Sequence, residues 1–228
     1  MAPRSKAKKR APLMESDTED ALRRRGTELL GLILMGIGAL AFLVIWTYSP
    51  DDPSLFSATD EAPRNALGII GASLADPLHR ALGWAAYGIP AVLGVWGLRL
   101  VLHAGETRVV SRTVASPLAL LAVSAFAATH VPPAGWSFDY GLGGLLGDAV
   151  LGFLLSLLPF ALGPSLVLAS LVLAALAAGS AGFTLGVTGA ELRRFTTFLR
   201  DGSILLSDDA NGVIYRITYD GATGQAAP

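Results

Sequence analysis

The sequence predicts an all-α polytopic membrane protein with four transmembrane helices and a short β-hairpin at its carboxyl end. Three observations carry that expectation. Residues 29–48 read LLGLILMGIGALAFLVIWTY, without a charge, and as a helix they rise about 30 Å, the thickness of a bilayer's hydrocarbon core. Long apolar tracts recur further along, so that only 15% of the 228 residues are charged and mean hydropathy is +0.54, where a soluble domain carries about 25% charge. Arginine and lysine fall unevenly between the tracts, as positive-inside sorting requires. In lipid the backbone must satisfy its own polar groups, so each tract is read as helix.

Residues 1–28 are a polar arm. Its bases are Arg4, Lys6, Lys8, Lys9, Arg10, Arg23, Arg24 and Arg25, set against Glu15, Asp17, Glu19, Asp20 and Glu28. The first part holds too little apolar surface to offset the entropy of ordering and is expected to be disordered. Nucleic-acid binding is one use for such an arm; the preferred one is a cytoplasmic determinant leaning on anionic lipid. A cleaved signal peptide is not expected, because its apolar core would be shorter and the leading segment free of acids.

The first span, 29–48, stops at Ser49-Pro50-Asp51-Asp52-Pro53-Ser54, where two prolines and two aspartates favour a turn. The following loop, to Arg80, carries Asp51, Asp52, Asp60, Glu61 and Asp76 against Arg64 and Arg80. Within it, Ala66–Leu78 is expected as a short interfacial helix. The second span is about 81–98, kinked at Pro90, with Trp84 and Trp96 near its ends and Arg99 at its exit, positions suited to aromatic belts and snorkelling. A short basic loop, 99–113, leads to the third span, 114–131, which ends in His130. The next loop holds Pro132-Pro133-Ala134-Gly135-Trp136 and a glycine run, Gly141 to Gly147, with no lysine or arginine. Gly143/Gly147, Ala174/Ala178 and Ala175/Gly179 have the small-xxx-small spacing of close helix contacts.

Residues 149–186 are apolar throughout, interrupted at Gly163-Pro164, and here charge sets the count. Bases number 8 before the first span, 2 in the first loop, 3 in the second, 0 in the third and 4 after Gly186. That alternation fits an even number of spans with both termini cytoplasmic. The fourth span is therefore placed at 164–186, and 145–162 is left as an outer-surface helix or a re-entrant segment; a fifth span would put Arg193, Arg194 and Arg200 on the wrong side. In the tail, 191–228, residues 203–219 alternate about an Asp-Asp-Ala-Asn-Gly turn and read as a β-hairpin, marginal by itself.

Several chemistries lack their residues. No cysteine is present and all three lysines lie in the first ten residues, so thiolate sites and a Walker A loop have no counterpart here. The histidines, His79, His103 and His130, are expected on different loops, without metal or triad spacing. No catalytic, cofactor-binding or metal residue is assigned and no cofactor is expected. The alternative function is a small transporter or channel. Its candidate polar residues are Arg99, His130 and Asp148, and its candidate helix breaks are Pro90 and Pro164.

The loop residues carry a resemblance. Tyr48-Ser-Pro-Asp-Asp-Pro-Ser54 after a first span, Asn65-x-x-Gly68-x-x-Gly71-Ala72-x-x-x-Asp76, and Pro133-Ala134-Gly135 followed by Gly143-Gly144-x-x-Gly147 together resemble the membrane domain of the FtsK/SpoIIIE cell-division DNA translocases, over about residues 20–190. The resemblance implies an inner-membrane anchor and scaffold at the division septum. It implies a homo-oligomer in contact with the bilayer and with other septal membrane proteins, the DNA-pumping ATPase being a separate domain. No motor residues have counterparts here, and direct DNA binding is not expected. Residues 201–219 resemble instead the last strands of a quinoprotein sugar-dehydrogenase propeller, so the sequence reads as a truncated or recombined gene.

Overall fold

Charge ends and lipid begins inside a single helix, α1 (Ser16–Trp46). Its first turns hold Arg24 and Arg25 against Glu28, at 3.5 and 3.2 Å. These exposed pairs three and four residues apart are each worth a few tenths of a kcal/mol. From Leu29 onward the helix is apolar and largely exposed, as a helix bathed in lipid must be. The computed structural model describes residues 16–104 and 108–201 and two strands, Ile204–Asp208 and Val213–Ile217. The arm expected to be disordered falls mostly on residues 1–15, outside the described residues.

After the 47–67 loop come α2 (Gly68–Leu82), a 3-10 turn (Gly83–Tyr87), α3 (Gly88–Val101) and α4 (Val109–Ala127). A second loop leads to α5 (Gly144–Leu157) and α6 (Leu162–Leu185). Four helical stretches, Asp20–Trp46, Gly68–Val101, Val109–Ala127 and Leu162–Leu185, are long and apolar enough to cross a bilayer. A straight Gly68–Val101 would measure about 50 Å, well beyond a hydrocarbon core of about 30 Å. It is not straight. Gly83 adopts φ 56°, ψ −132°, a conformation open to glycine alone, and the remainder from Gly83 to Val101 spans one core thickness.

The sequence places the kink at Pro90; the break is at Gly83 instead. Pro90 sits in the first turn of α3, directly after the 3-10 turn, and Pro164 in the first turn of α6, positions that tolerate proline. Both prolines start helices. Pro77 and Pro117 are the ones inside helices. The segment left open at 145–162 contains α5, whose 14 residues rise about 21 Å and are too short to cross.

Two seams hold the bundle. On the first, α1 packs along α3 through glycine: a Cβ on Gly31 would lie 2.6 Å from Gly97 O, and one on Gly97 at 2.6 Å from Gly31 O. Such approach gives dispersion contact where lipid offers no hydrophobic drive. On the second, α4 packs against α5 and α6 around Ala125, Leu151, Ala169 and Leu173. Gly143 and Gly147 both abut the backbone of buried Ser124, whose hydroxyl donates to Gly143 O. The buried stripe of α6 is Ser165, Ala169, Leu173 and Ala177, spaced by four. The small-residue pairs read from the sequence fall on a neighbouring stripe of α6, where Ala175, Ala178 and Gly179 are exposed.

From Gly186 on the chain forms a separate unit. Gly186, at φ 76°, ends α6 as a glycine at this position does. The next helix, α7 (Gly189–Asp201), opens on a capping box: Thr188 N donates to Glu191 Oε2 at 2.7 Å and Glu191 N to Thr188 Oγ1 at 3.2 Å. Each side chain satisfies a backbone donor that a helix start leaves over. Strands β1 (Ile204–Asp208) and β2 (Val213–Ile217) pair antiparallel, Ile204 opposite Ile217 and Asp208 opposite Val213. The expected turn and Tyr219 lie outside the described residues.

Candidate functional site

The quoted loop motifs meet at one end of the bundle, where α1 ends. The last carbonyls of a helix need donors. Asn65 supplies one, its Nδ2 donating to Val44 O at 2.8 Å, while Ala66 N donates to Thr47 Oγ1 at 3.0 Å. Asp52 is buried and closes the loop, accepting from Arg64 N at 2.8 Å and Asn65 N at 2.9 Å. Asn65 Oδ1 accepts from Leu67 N at 3.1 Å, the local turn that launches α2. A Cβ on Gly71 would fall 2.0 Å from that same oxygen, which ties Asn65 to a residue without a side chain.

Helix α2 is amphipathic with its sense inverted. Ala72, Ala75, Asp76 and His79 face inward, at the i, i+3, i+4, i+7 spacing of one helix face. Ile69, Ile70 and Leu74 face outward and are 58%, 73% and 56% exposed. The expected interfacial helix is thus packed inward by its polar side. Asp76 is the hub. Tyr48 OH donates to its Oδ1 at 2.8 Å, Ser54 Oγ to its Oδ2 at 2.8 Å, and Arg80 Nε to Oδ1 at 2.6 Å. The carboxylate is 3% exposed and the guanidinium 38%. The charge is compensated by three donors, one of them a cation, as burial demands.

A lid of aromatic rings covers this hub. In the second loop Gly135 turns at φ 94°, and Trp136, Phe138 and Tyr140 follow in alternation. His79 Nδ1 lies 2.7 Å from Tyr140 OH, and Trp136 Nε1 donates to Tyr140 O at 2.6 Å. Tyr48 stacks on His79 at 4.7 Å and on Phe138 at 5.7 Å between centroids, and Trp136 meets Phe138 edge-on at 4.8 Å. Each such pair adds about 0.5–1.5 kcal/mol beyond area burial. Burial pushes the Tyr140 phenol up to about 12, so the neutral hydroxyl is the form this packing favours. Beneath the lid Trp84 N donates to Leu142 O at 2.9 Å, joining the start of the second span to the loop before α5.

The other singled-out polar residues do not gather. Asp148 is exposed and accepts from Gly141 N at 3.4 Å, holding its own turn. His130 is exposed, close to Phe126 O and Thr129 Oγ1. Arg99 lies at the opposite end of α3. Of the histidines, His79 is on a helix and buried, which corrects its expected loop position, while His103 and His130 follow the ends of α3 and α4. Among the described residues no three His, Asp or Glu side chains form a group that could hold a metal ion. The site is built of hydrogen bonds and rings.

Known proteins share this arrangement of sequence. The family described as the 4TM region of the DNA translocase FtsK/SpoIIIE matches residues 23–192. The chain belongs to the FtsK/SpoIIIE family, in its four-span membrane region. It is 38% identical over 162 residues to the DNA translocase FtsK of Caulobacter vibrioides, covering 69% of this chain and 20% of that protein. The FtsK of Brucella melitensis is 36% identical over 156 residues, 64% of this chain and 19% of its own length. That of Bradyrhizobium diazoefficiens is 34% identical over 131 residues, covering 58% and 16%. The chain thus spans about a fifth or less of these FtsK relatives. No solved structure matches. The family match stops short of residues 201–219, and nothing found supports their likeness to a dehydrogenase propeller. An FtsK membrane region with four apolar crossings makes this a multi-pass protein of the bacterial inner membrane.

Proposed function

We propose that this chain is the non-catalytic anchor and scaffold of a division-site DNA translocase, with both termini in the cytoplasm and the Asp76 end outside. One observation carries the reading: the loop residues shared with the FtsK pattern converge on a single buried hub, built to hold a surface in shape. At that surface Leu55 and Phe56 stand 83% and 70% exposed, on a turn closed by the Ser54–Ser57 bridge, available to other septal membrane proteins. An even number of crossings, with arginines at 99, 108 and 112 between the second and third, supports the orientation. A transporter would need its ionisable groups on one path; Arg99, His130 and Asp148 are apart, and both prolines start helices.

The test is a fluorescent fusion of the full chain in dividing cells, with alkaline-phosphatase and fluorescent-protein reporters at the termini. Midcell bands and cytoplasmic reporters at both ends are expected. Uniform envelope fluorescence overturns the septal assignment, and reporters on opposite sides overturn the orientation.

Self-association belongs to the same reading. Ala175, Ala178 and Gly179 give α6 a small-residue face turned away from its own bundle, where a second copy can approach closely. Gly179→Ile is expected to reduce crosslinked oligomers in membranes several-fold without lowering the monomer's thermal stability, since a Cβ at Gly179 meets nothing within the chain. Unchanged crosslinking would remove this face from the interface.

A further inference from the structure

A cavity of about 480 Å³ opens between α1, α3 and α4 at the Arg99 end, away from the Asp76 hub. Its volume falls in the range of ligand sites. Its composition is divided. Leu30, Leu34 and Leu100 make an apolar wall, continued by the ring of Trp96, which is pinned by its N–H to Thr184 O at 2.7 Å. At the mouth stand Arg99 and Arg112, both half-buried and both held by contacts within the fold. His103 and Thr27 complete that rim, 3.4 Å apart.

Around the mouth bases outnumber acids in the sequence. Glu28 is the carboxylate of α1 closest to the mouth, and it already faces Arg24 at 3.5 Å, Arg25 at 3.2 Å and His103 at 3.8 Å. In sequence, the 99–113 loop carries Arg99, Arg108 and Arg112 against Glu106 alone, a surplus of two positive charges. The apolar wall also runs outward: Leu30 is 49% exposed, and Leu29 and Ile33 beside it are 60% and 49% exposed. The slot is therefore continuous with the surface that α1 turns to lipid.

We propose that this cavity is a binding site for one anionic glycerophospholipid. Its phosphate lies between the guanidinium groups of Arg99 and Arg112, and an acyl chain lies along Leu30, Leu34 and Leu100. Guanidinium suits phosphate because its fork of donors matches the oxygens two at a time, and basic pockets between transmembrane helices select anionic headgroups. A soluble phosphate would gain nothing from the leucine wall, and a zwitterionic lipid would bring its own cation to two arginines. The lipid would touch α1, α3 and α4 at once, and so brace the first two crossings against the third.

The experiment is native mass spectrometry of the full chain released from nanodiscs of mixed phosphatidylcholine and phosphatidylglycerol. One phosphatidylglycerol per chain should be retained, about tenfold in preference to phosphatidylcholine. Arg99→Gln with Arg112→Gln should abolish the preference. Ala104→Trp, which keeps both arginines and fills the mouth, should abolish retention, and it decides the matter should the double variant fail to fold. Equal retention of the two lipids, an unchanged preference in the double variant, or unchanged retention in Ala104→Trp would overturn the proposal. So would displacement of the lipid by glycerol phosphate as readily as by phosphatidylglycerol, since the apolar wall would then contribute nothing.

Discussion

Replacing Asp76 by alanine is expected to cost about 3–5 kcal/mol of stability, among the largest effects of any side-chain change in the chain. The magnitude follows from what is left behind. Tyr48, Ser54 and Arg80 all donate to this carboxylate, and alanine leaves two part-buried hydroxyls and a guanidinium without it. The Arg80 charge contributes less than its 2.6 Å contact implies, because its side chain is 38% exposed and water screens it. Loss of the buried acceptor is the larger share. Asp76→Asn keeps one acceptor oxygen and should cost less than alanine. Ser54→Ala removes the bond to the charged acceptor together with the 3.1 Å bond that Ser54 Oγ accepts from Phe56 N, and should cost about 1.5–3 kcal/mol. Thermal unfolding in detergent, followed by tryptophan fluorescence, reads this order directly, since Trp136 and Trp84 pack in the same corner. An Asp76→Ala protein as stable as Ser54→Ala would show that the carboxylate is not the hub.

That prediction was out of reach of the sequence, and the reason is physical. The first loop offers five acids, and hydropathy treats them alike. Folding separates them: Asp52 and Asp76 are buried, whereas Asp51, Asp60 and Glu61 are exposed. Asp76 is buried because α2 turns its polar face inward, against the usual amphipathic sense, where the apolar face has lipid to meet, and Asp52 because its carboxylate takes up Arg64 N and Asn65 N. A signal was present. Asp76, His79 and Arg80 are spaced three and four apart, which puts them on one helical face. The alternation Trp136, Phe138, Tyr140 was equally visible, but alternation normally marks a strand, and here it forms a lid. The four crossings were legible because an uninterrupted apolar run has few other uses. Helix α7 was missed although Thr188-x-x-Glu191 spells its start. Pro90 was misread because a proline's effect depends on its distance from the helix start, which composition does not mark; Pro164 does stand at the start of its crossing, as read.

The same dependence on local position governs which glycines matter. Gly83→Ala and Gly144→Ala are expected to abolish folding of the bundle, whereas two other glycine changes should be mild. Two costs separate the cases. A positive φ costs an L-residue roughly 1–2 kcal/mol, and Gly83, Gly144 and Gly135 all carry it, at 56°, 63° and 94°. Close approach adds a second cost to the first two only. A Cβ on Gly83 would sit 2.1 Å from Leu142 O, and one on Gly144 2.5 Å from Gly83 N. Those neighbours are backbone, so no side chain can yield, and a shift would break the 2.9 Å bond from Trp84 N to Leu142 O. That bond is where the second crossing meets the turn into α5, so the displacement would spread to both seams. Gly135→Ala meets open space and should show the conformational cost alone. Gly152→Ala, inside α5 with nothing near it, should change stability by less than about 1 kcal/mol. Fluorescence-detected size exclusion of the four variants separates the contributions: monodisperse protein for Gly152→Ala and Gly135→Ala, aggregate for Gly83→Ala and Gly144→Ala. If Gly83→Ala instead behaves like Gly135→Ala, the chain can part at Leu142 without consequence, and the break at Gly83 is a flexible turn rather than the joint that sets where the second crossing begins.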